Sequence, residues 1–174
     1  FGKTVGVIGF GRVGQLFAER ISAFGTTVVA ADPYPDREAA QRLGVRIVPL
    51  EELMAVSDFV SVHVPKVPET HGLVDTRLLS HAKPGQILVN AARGGVVDEH
   101  ALANAIRDGR IRAAGIDVFE QEPPENSPLV GLDGVVVTPH LGAATQEAQD
   151  RAGTDIAHAV LAVLRGGDAP GVVV

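Results

Sequence analysis

The chain has 174 residues, 45% hydrophobic and 21% charged, with a net charge of −6 and no cysteine. That balance excludes a disordered chain and leaves no basic footprint for nucleic acid. The missing cysteines exclude disulfides, thiolate metal ligands and cysteine nucleophiles. Apolar runs such as Thr4–Ile8 are too short to cross a bilayer, so no membrane partner is expected. The length suits one domain, residues 1–174, with a Gly- and Pro-containing tail from 166. Because it begins at Phe1 rather than Met, the sequence reads as a piece of a longer protein, and its acidic balance suits the cytoplasm.

Apolar β-branched runs alternate with stretches of helical spacing. Thr4–Ile8 reads as a buried strand. Residues 11–23 carry Val13, Leu16, Phe17 and Ile21 at helical spacing, and Gly25 stops them. Thr27–Ala31 is a second strand, Arg37–Leu43 a short helix closed by Gly44, and 46–48 a short strand. Leu50–Val56 is a helix and 59–64 a strand, followed by a loop through Pro65, Pro68 and Gly72. Residues 75–82 and 98–108 are helices with Asp75 and Asp98 placed to cap them. Strands are expected at 87–90, 113–118 and 135–138, a polar loop at 121–128, and a long helix at 145–164. The alternation predicts an α/β fold: a doubly wound parallel sheet with helices on both faces, a three-layer αβα arrangement.

Gly9-Phe10-Gly11-Arg12-Val13-Gly14 is a G-x-G-x-x-G between a predicted strand and a predicted helix. In that context Gly9 permits the turn, Gly11 lets backbone approach a pyrophosphate, and Gly14 lets helix pack on strand. The helix start supplies N–H donors to the phosphates. Asp32 ends the second strand, about 20 residues on, where a carboxylate accepts ribose hydroxyls of NAD and repels the 2′-phosphate of NADP. The plainer role for Asp32 is a turn residue before Pro33. Arg37 lies near enough in sequence to meet a phosphate.

Three further side chains follow strand ends: Arg93, Glu122 and His140. In a parallel sheet their loops open on the same edge as the glycine loop. Oxidising a secondary alcohol needs a base near neutral pH, which His supplies in both directions. A carboxylate stabilises the imidazolium. Arg matches a substrate carboxylate. Taken singly, each has a bland role: His140 a loop residue, Glu122 a solvated acid and Arg93 a turn cap; Asp117, at a strand end, likewise reads as a helix or turn cap.

Taken together, VGVIGFGRVGQ, SVHVPKVPETHGLV, VNAARGGVVDEHAL, AAGIDVFEQEPP and VVVTPHLGAATQEAQDRAG resemble the D-isomer-specific 2-hydroxyacid dehydrogenases over essentially the whole chain. The resemblance implies a Rossmann NAD-binding domain. By it, Arg93 would hold the substrate carboxylate, His140 would be the acid/base and Glu122 its partner. Arg12 and Val13 would present the helix start to the pyrophosphate, and Asp32 would take the adenine ribose. Val64 would line the adenosine side. Ala91 and Arg93 would flank the nicotinamide ribose, with Ala92 also in the cofactor-binding set. Asp117 would hold the carboxamide. His140, Leu141, Gly142 and Ala143 would close over the nicotinamide.

The resemblance also implies a small 2-hydroxy or 2-keto acid substrate, a homodimer paired through cofactor domains, and no metal. The last two blocks resemble the branch that oxidises phosphoglycerate. The glyoxylate, hydroxypyruvate and D-lactate branches are the enzyme alternatives, and corepressor-like NAD sensors are the non-enzymatic one. Family members build a substrate domain from both chain ends, so that domain is expected outside this sequence. The piece alone is expected to bind NAD and barely turn over.

Overall fold

In the computed structural model, which describes residues 1–169, seven strands pair in parallel: β1 (Thr4–Ile8), β2 (Thr27–Ala31), β3 (Arg46–Ile47), β4 (Phe59–Val62), β5 (Gln86–Asn90), β6 (Ile111–Ile116) and β7 (Val135–Val137). Their spatial order is β3-β2-β1-β4-β5-β6-β7. The chain winds outward from β1 to β3, then returns to β4 on the other side of β1. That reversal makes the sheet doubly wound and puts its switch point between β1 and β4.

The helices are α1 (Arg12–Ser22), α2 (Arg37–Leu43), α3 (Leu50–Val56), α4 (Thr76–Leu79), α5 (Glu99–Arg107) and α6 (Gln146–Leu164). Phe1–Pro139 forms one compact unit, and a second begins at His140 and contains α6. Within the first unit the two faces of the sheet bury separate cores. Val28 and Ala30 of β2 pack with Ala18 of α1 and Ala39 and Ala40 of α2. Val29 and Ala31, their alternating neighbours, pack with Leu53, Leu78 and Leu102 of α3, α4 and α5. Strands apolar on both sides are what this two-faced burial requires. On the α1–α2 face, Val89 and Val136 of the β5–β7 half stay partly exposed.

Side chains set most helix starts. Asp36, Asp75, Asp98 and Thr145 accept the N–H of Ala39, Leu78, Ala101 and Ala148 at 2.9, 2.8, 2.9 and 3.1 Å. Each satisfies one of the unpaired donors of a first turn. Helices α1 and α3 are different: they start on Gly11 and Pro49, which offer no side-chain cap.

Several expected boundaries move. β4 stops at Val62 rather than 64, because His63 and Val64 turn over the glycine loop. β6 runs Ile111–Ile116 rather than 113–118, since Ile111 is fully buried and pairs with Gln86. α4 is shorter than 75–82, its later residues forming turns. A 3-10 turn, Pro68–Thr70, lies in the expected loop. Of the expected tail, residues 170–174 lie outside the described residues. Among the described residues, no helix is long and apolar enough to cross a membrane.

The edge opposite the glycine loop is tied by polar groups. Asp58 accepts the Thr4 N–H at 2.9 Å and the Lys83 ammonium at 2.9 Å. The Thr4 amide first, then Lys83, hold its carboxyl down to about 2. Gln86, fully buried, donates its amide N–H groups to the carbonyls of Met54 (2.7 Å) and Ser57 (2.8 Å) at the end of α3. Gln86→Leu removes a donor from each of two buried carbonyls, of which that of Met54 keeps the Lys83 N–H at 3.1 Å. It is expected to cost about 2–4 kcal/mol in urea unfolding. An unchanged midpoint would show that these bonds do not hold α3 to the sheet.

Candidate functional site

Register brings the candidate residues to one edge. Ala31, Ile8, Val62, Asn90, Ile116 and Val137 are successive partners across β2, β1, β4, β5, β6 and β7. One residue further along each strand stand Asp32, Gly9, His63, Ala91, Asp117 and Thr138. All six therefore emerge at the carboxyl edge, and Gly9 and His63 flank the switch point.

The glycine loop is packed to backbone contact. Gly9 has φ +92, and a Cβ there would lie 2.7 Å from Val64 Cγ1 and 2.8 Å from the His63 carbonyl oxygen. At Gly14 a Cβ would lie 2.1 Å from the Gly9 carbonyl oxygen. Thus Val64, just past β4, presses on the loop, and α1 presses on it from behind. Gly11 is the exception, because a Cβ there would meet nothing within 4 Å. Its open face lies at the uncapped start of α1, with Arg12 and Val13 exposed in the first turn. This cradle, which a side chain would fill, fits a pyrophosphate on backbone N–H donors.

Asp32 ties this loop to β2. One carboxylate oxygen accepts the Phe10 N–H at 2.7 Å, and the other accepts the Tyr34 N–H at 2.8 Å. The bond to Tyr34, two residues on, makes Asp32 a turn residue as well. A carboxylate offers about four acceptor sites. Two bonds to the protein leave capacity for ribose hydroxyls, and the charge disfavours a phosphate there.

On the other half of the edge, Asn90 shapes the loop that carries Ala91, Ala92 and Arg93. Its side chain accepts the Ala92 N–H at 3.1 Å and donates to the Arg93 carbonyl at 3.1 Å. The Arg93 guanidinium is exposed and donates to the Ala92 carbonyl at 2.7 Å. Gly94 lies so close to the next loop that a Cβ would meet the Phe119 carbonyl oxygen at 1.7 Å. This contact brings the Arg93 and Glu122 loops together. Glu122 folds back to accept the Phe119 N–H at 3.1 Å. Asp117, 7% exposed, receives the Thr138 hydroxyl.

His140, Leu141, Gly142 and Ala143 belong to the second unit, directly after Pro139. There His140 has φ +55, a left-handed conformation uncommon outside glycine. The Ala144 N–H closes a turn on the Leu141 carbonyl at 3.0 Å, ahead of α6.

Sequence reasoning missed Asn90, Thr138 and His63. For Asn90 a signal existed, an Asn at a strand end before a turn. His63 gave none, standing inside an apolar strand pattern. Its ring Nε2 lies 2.9 Å from Ser61 Oγ, and its centroid is 4.9 Å from that of Phe17 on α1. Burial pushes its pKa down to about 4.

Residues 1–142 match the family model described as D-isomer specific 2-hydroxyacid dehydrogenase, NAD binding domain. The chain belongs to this family and is its NAD-binding domain. It is 61% identical over 166 residues to a protein of Mycobacterium tuberculosis named D-3-phosphoglycerate dehydrogenase, covering 95% of this chain and 31% of that protein. It thus spans about a third of the length of such relatives. The TT0316 protein of Thermus thermophilus superposes with a TM-score of 0.90 at 41% identity, over 99% of this chain and 54% of that one. A D-lactate dehydrogenase of Lactobacillus jensenii, solved with NAD+, gives 0.90 at 28% identity, over 99% and 56%.

The His63 environment has a pH consequence. The folded state holds the ring neutral down to about 4, whereas the unfolded chain protonates it near 6.5. Between those values the unfolded state binds more protons, so stability falls as pH drops from 6.5 towards 4. Urea midpoints at pH 7 and pH 5 should differ more in the native chain than in His63→Gln. Equal differences would show that this ring is not the source.

Proposed function

We propose that the chain is the cofactor half of a dehydrogenase that oxidises the hydroxyl of 3-phosphoglycerate to the ketone of 3-phosphohydroxypyruvate, the entry step of serine biosynthesis. The carrying observation is the shared sheet edge, where the glycine loop, Asp32, the Arg93 loop and Asp117 emerge together. The substrate rests on 61% identity to a relative named for it, against 28% to the D-lactate dehydrogenase.

In this reading Asp32 binds the adenine ribose, Val64 lines the adenosine, and the backbone from Gly11 to Gly14 holds the pyrophosphate. Ala91 and Arg93 flank the nicotinamide ribose, Ala92 belongs to the same cofactor-binding set, and Asp117 holds the carboxamide. Leu141, Gly142 and Ala143 complete the cofactor-binding set. When bound, NAD supplies the hydride acceptor.

Arg93 grips the substrate carboxylate with its planar fork. His140 takes the hydroxyl proton in oxidation and returns it in reduction. Glu122 stabilises the imidazolium. The left-handed backbone at His140 supports a functional role, since such conformations cluster at reactive positions. A separate substrate domain shuts water out of the reaction. The complete protein works in the cytoplasm as a homodimer paired through cofactor domains.

In the full-length protein, His140→Ala should lower turnover of 3-phosphoglycerate on the order of 100- to 10,000-fold. NAD affinity, read by calorimetry, should stay within a few-fold. Retained turnover would refute the base assignment, and preference for D-lactate or glyoxylate would refute the substrate.

A further inference from the structure

The loop that carries Glu122 runs between two buried anchors, Phe119 and Leu129. Most residues between them are exposed, with neither helix nor strand to hold them. A carboxylate on such a segment needs a clamp if it is to keep one position.

Glu99 provides it. It is the first residue of α5, in the turn that Asp98 caps, so its backbone is fixed. One Glu99 oxygen accepts the Glu120 N–H at 2.8 Å, and the other receives the Ser127 hydroxyl. A single carboxylate therefore holds the loop on both sides of Glu122. Both bonds are charge-assisted, the stronger class of hydrogen bond. Ser127 passes the restraint on, its oxygen accepting the Leu129 N–H at 3.4 Å.

We infer that Glu99 is a positioning residue for the oxidation step: it clamps the 119–128 loop from the start of α5 and so sets where the Glu122 carboxylate stands. The inference rests on the role proposed for Glu122. Glu99 acts only through the loop and does not take part in NAD binding.

The test uses the full-length protein, with kcat and the NAD dissociation constant measured separately. Glu99→Ala should lower kcat on the order of 10- to 100-fold, the cost of a misplaced catalytic group. NAD affinity should stay within about twofold, because the loss lies on turnover and not on cofactor binding. Glu99→Gln should recover kcat to within about threefold, its oxygen accepting the Glu120 N–H and its NH2 donating to Ser127. Added to Glu122→Ala, Glu99→Ala should cost nothing more.

Three results would overturn the inference: an unimpaired Glu99→Ala, NAD affinity falling in step with kcat, or losses that multiply in the double variant. Should Glu99→Ala fail to fold, Ser127→Ala removes one anchor alone and should still lower kcat without touching NAD affinity; no effect there would also overturn it. If Glu122→Ala itself left turnover intact, the role of Glu122 would fall, and this inference with it. An impaired Glu122→Ala beside an unimpaired Glu99→Ala would sink the inference alone.

Discussion

One hydrogen bond joins the two halves of the cofactor motif: the Phe10 N–H donates to the Asp32 carboxylate at 2.7 Å. It exists because β1 and β2 are parallel neighbours with Ile8 opposite Ala31, which puts the residues after them side by side. The same carboxylate that would read a ribose therefore also holds the loop that would cradle the phosphates. Removing it would disturb both. Gly9 and Gly14 complete the constraint from the other sides, since neither leaves room for a methyl group. Only Gly11 opens outward, at a helix start left without a side-chain cap.

The chemical half of the edge follows similar logic with different means. Asn90 holds the Arg93 loop through two side-chain bonds, and Gly94 brings that loop against the backbone at Phe119. Glu99 then holds the Glu122 loop from α5. Parallel register gathers the strand ends, and polar side chains fix the loops beyond them. The division suits a scaffold whose rigid sheet supports loops free to carry function.

Much of this was legible in the sequence. Alternating apolar runs and helical stretches gave the doubly wound sheet, and the glycine motif before a helix marked the close-packed turn from β1 into α1. Asp75 and Asp98 were readable as caps because a short acceptor just before a helix has one obvious partner. Boundaries were less readable where tertiary contact decides them. Ile111 joins β6 because Gln86 lies opposite it, and His63 and Val64 leave β4 because they must pass over Gly9. The clamps were hidden for a related reason. Nothing near Glu99 in sequence announces Ser127, and nothing near Asp117 announces Thr138. Asp32 shows the opposite case, where the plain turn role and the ribose role are both compatible with one carboxylate.

On the proposed reading, the Gly9–Gly14 loop and Asp32 form one NAD site. Calorimetric titration of the full chain with NAD and with NADP tests it most directly. Saturable binding of NAD is expected, with NADP weaker by roughly tenfold or more because the Asp32 carboxylate would repel the 2′-phosphate. Binding of neither nucleotide, or NADP binding as tight as NAD, would contradict it.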